Sequence, residues 1–191
     1  MKLLILGSLL FAAPHLFSSL APAARDGFKA RMGERGWRGG YAAVTLIGLV
    51  LMVWGFIRAH RGEEAADWLY LPPAWTAHVT MLLVLLGFIA LAAAHGKSRI
   101  RLWLKNPMSV GVSLWAVGHL LANGRKIDVL LFGTFLLIAL VDIAVSTARG
   151  KHPDYVPNTR SDVIAVVAGI VLYAVMLFLV HPYVFGIPVA G

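Results

Sequence analysis

Val129-Leu130-Leu131-Phe132-Gly133-Thr134-Phe135-Leu136-Leu137-Ile138-Ala139-Leu140-Val141 is an uninterrupted uncharged run. It lies at the centre of an apolar stretch at 127–147. A bilayer core about 30 Å thick takes about 20 apolar helical residues to cross. This stretch meets that length. Working outward, further runs fall at 3–20, 41–58, 74–94, 107–123 and 162–181, each read as a span. The predicted fold is all-α, a polytopic transmembrane bundle of about six spans. Little chain remains for anything else, so a single domain over 1–191 is expected. A short apolar tail, Tyr183 to Gly191, follows the last span.

Composition agrees. Hydrophobic residues make up 59% of the 191 residues and charged residues 14%, against about 25% charged in a soluble domain. With 0 cysteines, disulfides, thiolate-ligated haem or zinc and covalently attached haem are excluded.

The net charge of +8 is a topology signal. Arg25, Lys29, Arg31, Arg35 and Arg38 follow the first span; Lys97, Arg99, Arg101 and Lys105 follow the third; Arg149, Lys151 and Arg160 follow the fifth. These twelve face five on the other side: Lys2, Arg58, Arg61, Arg125 and Lys126. Basic loops stay in the cytoplasm, so both termini are expected outside it. In a bacterium that means a multi-pass inner-membrane protein with periplasmic termini. The basic loops also suit anionic lipid headgroups, and no nucleic-acid partner is expected. Ala21-Pro22-Ala23 imitates a signal-peptide cleavage site. Only Lys2 precedes the apolar stretch, however, while five basic residues follow it, the reverse of a secretory signal. The first run is therefore read as a permanent helix.

Helical spacing aligns Ser8, Ala12, His15 and Ser19 on one face of the first span, which also contains Pro14. That face should look into the bundle. Thr45, Gly48, Met52 and Gly55 form a small-residue face on the second span. Asn106-Pro107 reads as an N-cap with proline at the first helical position, and Asn123-Gly124 as a helix stop. Thr159-Arg160-Ser161-Asp162 offers N-caps for the last span. Trp68, Tyr70 and Trp75 fit an interfacial aromatic belt.

Of 7 histidines, His60, His95 and His152 lie in or beside loops and read as solvated. His15, His78, His119 and His181 lie in or at the ends of spans. A neutral imidazole can ligate haem iron without importing net charge into lipid. Depth favours His78 as the partner of His119, with His15 deeper toward the cytoplasm. The competing account is that these side chains bond carbonyls and serines of neighbouring helices. An interfacial His181 before Pro182 needs no special function. Asp142 either orients His15 or pairs with Arg149 or Lys151 near the interface. The glutamates Glu34, Glu63 and Glu64 all fall in loops, so no buried Glu joins a histidine in a dinuclear metal site. There is no phosphate loop, nucleophile elbow or His-Glu-x-x-His.

Asn106-Pro107-Met108, Leu114-Trp115-Ala116 and His119-Leu120-Leu121-Ala122-Asn123-Gly124 together resemble the signature of the NnrU family. Pro14-His15, Gly33-Glu34-Arg35, Trp54-Gly55, His181-Pro182 and Phe185-Gly186 agree in the same order. The resemblance implies a bacterial inner-membrane protein linked to denitrification, in nitrite and nitric oxide reduction. The family is also similar to the plant 15-cis-zeta-carotene isomerase, a haem b membrane enzyme with histidine ligands. Motif matching to that enzyme implies His119 and His15 as the iron ligands, where depth favoured His78. Two positions depart from the pattern. Asn106 replaces the family's usual histidine, and Ala116 stands where the isomerase has a cysteine. The implied function is haem b binding in nitric oxide metabolism, with nitric oxide or an apolar small molecule as ligand. The alternatives are cis–trans isomerisation of a carotenoid-like polyene and a non-enzymatic membrane assembly role.

Overall fold

The computed structural model describes residues 1–186; the last five residues of the apolar tail lie outside the described residues. The chain is a helical membrane protein. Its elements are α1 (Lys2–Leu20), α2 (Pro22–His60), α3 (Thr76–Ala93), α4 (Arg99–Leu104), α5 (Pro107–Ala122), α6 (Lys126–Ala148) and α7 (Thr159–Val175). A ten-residue π-helical stretch, Met176–Phe185, continues α7. Among the described residues, five helices are long and apolar enough to cross a membrane, and α5 is a shorter apolar helix of 16 residues.

Two compact units organise these helices. One comprises Met1–Leu71 with Asn123–Val145, the other Pro72–Ala122 with Ser146 onward.

In the first unit α1 packs antiparallel on α2. A Cβ at Gly48 would stand 2.6 Å from the backbone nitrogen of Phe11, and one at Gly55 would stand 2.4 Å from that of Leu4. The small-residue face read from the second span is thus a site of direct backbone contact. Alanine at either position would force the helices apart, a cost of about 1–3 kcal/mol. Phe135 of α6 meets Phe11 at 5.1 Å between ring centroids. Ser8 is buried, as its face predicted.

The loop to α3 lies against the start of α6. The Leu69 amide donates to the Gly124 carbonyl (2.8 Å) and the Lys126 amide to that of Asp67 (2.8 Å). Trp68, Tyr70 and Trp75 are exposed.

In the second unit α3 packs on both α5 and α7. Thr80 Oγ1 fastens α3 to α5 by donating to the Gly118 carbonyl at 2.7 Å. Asn106 caps α5 as expected, its Oδ1 accepting from the Ser109 amide at 3.3 Å. Its Nδ2 donates to Ser146 Oγ at 3.1 Å. The cap of α7 lies one residue before the expected stretch: Asn158 Oδ1 accepts from the Ser161 amide at 2.8 Å. Asp162 instead ties the helix to α4, accepting from the Arg99 amide at 2.6 Å and from the Arg99 guanidinium.

The basic stretch after the first span is not a loop. It is helical from Pro22 onward, with one break at Gly33. Proline at the first helical position starts it well, and Ala, Arg and Lys propagate it.

Candidate functional site

In the second unit, α3, α5, α7 and the π-helical stretch line a narrow, half-open apolar groove. Met81, Val84 and Phe88 come from α3, Trp115 and His119 from α5, Tyr173 from α7, and Met176, Leu177 and His181 from the end of the last helix. The polar groups facing this apolar wall are few, and two are imidazoles.

Each imidazole is held in one tautomer. His119 Nδ1 lies 2.8 Å from the Trp115 carbonyl oxygen. His181 Nδ1 lies 2.7 Å from that of Met176. A carbonyl can only accept, so each Nδ1 carries the proton and donates. In a neutral ring Nε2 is then the acceptor nitrogen, the tautomer in which it can ligate a metal. The ring centroids are 6.2 Å apart with the planes 17° from parallel. Trp115 braces His119 at 4.9 Å and Phe185 braces His181 at 5.8 Å.

The π-helical register places His181. Its ring reaches a carbonyl five residues back, where α-helical histidines here reach four back. π-Helical turns often occur at functional sites because they re-aim side chains.

His119 therefore meets His181, whose interfacial place before Pro182 suggested no special function. His78 is exposed on the first turn of α3 and does not line the groove. His15 belongs to the other unit. There its Nδ1 bonds the Phe11 carbonyl at 2.7 Å, and its ring meets Phe11 at 4.5 Å and Tyr41 at 5.5 Å. Asp142 accepts a 3.5 Å hydrogen bond from Ser19 Oγ in the same unit. Among the described residues, no three His, Asp or Glu side chains gather as a metal site.

A second polar cluster escaped the sequence reading. Asp128, 3% exposed, accepts from the Arg125 amide at 3.2 Å. The Arg125 guanidinium stacks 4.9 Å over Trp68 and lies 3.0 Å from His60 Nδ1. His60 is thus partnered rather than solvated, while His95 and His152 are exposed as expected. The signal was present in an acid one turn inside an apolar run, three residues after an arginine.

A family model, NnrU protein, matches residues 3–189, nearly the whole chain. No curated protein and no solved structure matches it.

Proposed function

Because the chain belongs to the NnrU family, we propose that it is a haem b protein of the bacterial inner membrane that serves nitric oxide metabolism. The carrying observation is the pair of metal-ready imidazoles, His119 and His181, in one apolar groove. The two rings lie 6.2 Å apart in a near-parallel, stacked arrangement, which brings two neutral-capable metal ligands to one groove. Neutral ligands and hydrocarbon walls suit a flat apolar macrocycle. His119 and His181 would hold its iron, and Trp115 would fix the His119 ring. Bound haem would supply one-electron chemistry, and a diatomic ligand would reach its iron only by displacing one of the two imidazoles. In this reading His15 and His78 are not ligands. The asymmetry of twelve basic residues against five supports cytoplasmic basic loops and periplasmic termini.

The test is the visible spectrum of detergent-purified protein expressed with ample haem. A Soret band is expected, with a reduced spectrum that changes on adding nitric oxide. A colourless protein overturns the cofactor. A haem spectrum of the purified protein indifferent to nitric oxide, together with a deletion strain that still consumes nitric oxide normally, overturns the metabolic role.

A second reading draws on the same groove. Met81, Val84, Phe88 and Leu177 offer the apolar surface that a polyene substrate needs. Conversion of 15-cis-zeta-carotene in a producing strain would support isomerisation; no conversion removes that substrate.

A further inference from the structure

We propose that Arg31 and Arg35 clamp the headgroup phosphate of an anionic phospholipid at the break in α2. The break itself is unusual. Gly33 has φ 73° and ψ 159°, a region essentially open to glycine alone. It separates a short basic helix, from Pro22 to Met32, from the part of α2 that spans.

Two ties hold the arms of this break together. The rings of Phe28 and Trp37, one on each arm, lie 6.4 Å apart and 28° from parallel. Phe17 of α1 meets Phe28 at 5.9 Å. On the charged side, Glu34 binds Lys29 at 3.5 Å from one arm and Arg38 at 2.8 Å from the other.

Charge accounting isolates the clamp. The segment carries five cations and two carboxylates. Arg25 pairs with Asp26 at 2.9 Å, and Glu34 occupies Lys29 and Arg38. Arg31 and Arg35 are exposed and have no hydrogen bond or ion pair among the described residues. They flank Gly33, two residues before and two after it. Two guanidiniums are suited to phosphate oxygens.

The same short helix selects a lipid over a soluble anion. Phe28 is 47% and Met32 54% exposed, beside the ends of two spans. A basic helix with exposed apolar side chains lies in the interface plane, its apolar side in the acyl boundary. Free phosphate would leave those side chains in water. The anionic leaflet supplies the complementary charge.

The test uses the full chain in nanodiscs of mixed phosphatidylglycerol and phosphatidylcholine, with retained lipids read by native mass spectrometry. The protein should retain phosphatidylglycerol preferentially. Arg31→Gln/Arg35→Gln should lower that preference about tenfold, and each single variant about threefold. Arg38→Gln, whose guanidinium is already held by Glu34, should keep it. If the double variant fails to fold by circular dichroism, the two single variants decide. An unchanged preference in the singles and the double overturns the clamp. So does inorganic phosphate that displaces the lipid at equal concentration, which would assign the site to a soluble anion. Polyglutamate bound in phosphatidylcholine discs by the unmodified protein, but not by the double variant, would assign it to an acidic protein and also overturns it.

Discussion

His15 and His119 are the same device in two places. Each donates from Nδ1 to the carbonyl four residues back, at 2.7 Å and 2.8 Å. Each leans on the aromatic ring at that same position, Phe11 or Trp115. Each thereby satisfies Nδ1 within its own helix and turns Nε2 away from it. The difference lies in what the ring faces. His119 faces an apolar groove and a second imidazole; His15 faces the ring of Tyr41 at 5.5 Å. A helix can fix a histidine's tautomer by itself; the neighbouring helix decides what the ring faces.

That contrast can be broken in several ways, largest effect first. His119→Ala should abolish the Soret band; a band of full intensity would end its assignment as a ligand. His181→Ala should keep weakened haem and shift it from six- to five-coordinate, seen in the position of the Soret band. An unchanged spectrum would show that the second ligand lies elsewhere. His15→Phe tests the other half. Its spectrum should stay intact, while the melting temperature falls with the loss of about 1 kcal/mol from the hydrogen bond. Loss of the band in His15→Phe, with retention in His181→Ala, would overturn the proposed pairing. Asn106→Ala should leave the spectrum alone and cost about 1 kcal/mol, read as a lower denaturation midpoint, because the residue caps α5. Asn106→His, the family's usual residue, should add no ligand to the spectrum.

The spans were legible because apolar length is a direct consequence of bilayer thickness. The close-packing face of α2 was legible in the spacing of Thr45, Gly48, Met52 and Gly55, though not its partner α1, and the start of α5 in Asn106-Pro107. His119 stood out as a polar side chain in an apolar run. Its neighbour did not. His181 lies at the end of the last helix, and its aim depends on a π-helical register that a period of 3.6 cannot reveal. The helix from Pro22 to Met32 was hidden for a different reason. Its charges and glycines read as loop, and the one glycine that does break it adopts a conformation no sequence pattern announces. Asp128 was overlooked because its partners arrive from a loop far away in sequence.

The widened turn from Met176 to Phe185 carries one more consequence. Its side chains advance by a smaller angle per residue than the roughly 100° of an α-helix. The end of this helix therefore keeps count. Conservative replacements along it leave the count intact. Removing a single residue before His181 swings the imidazole about a quarter-turn off the groove, even if every remaining side chain is unchanged. Along this stretch, the aim of His181 depends on length more than on side-chain identity.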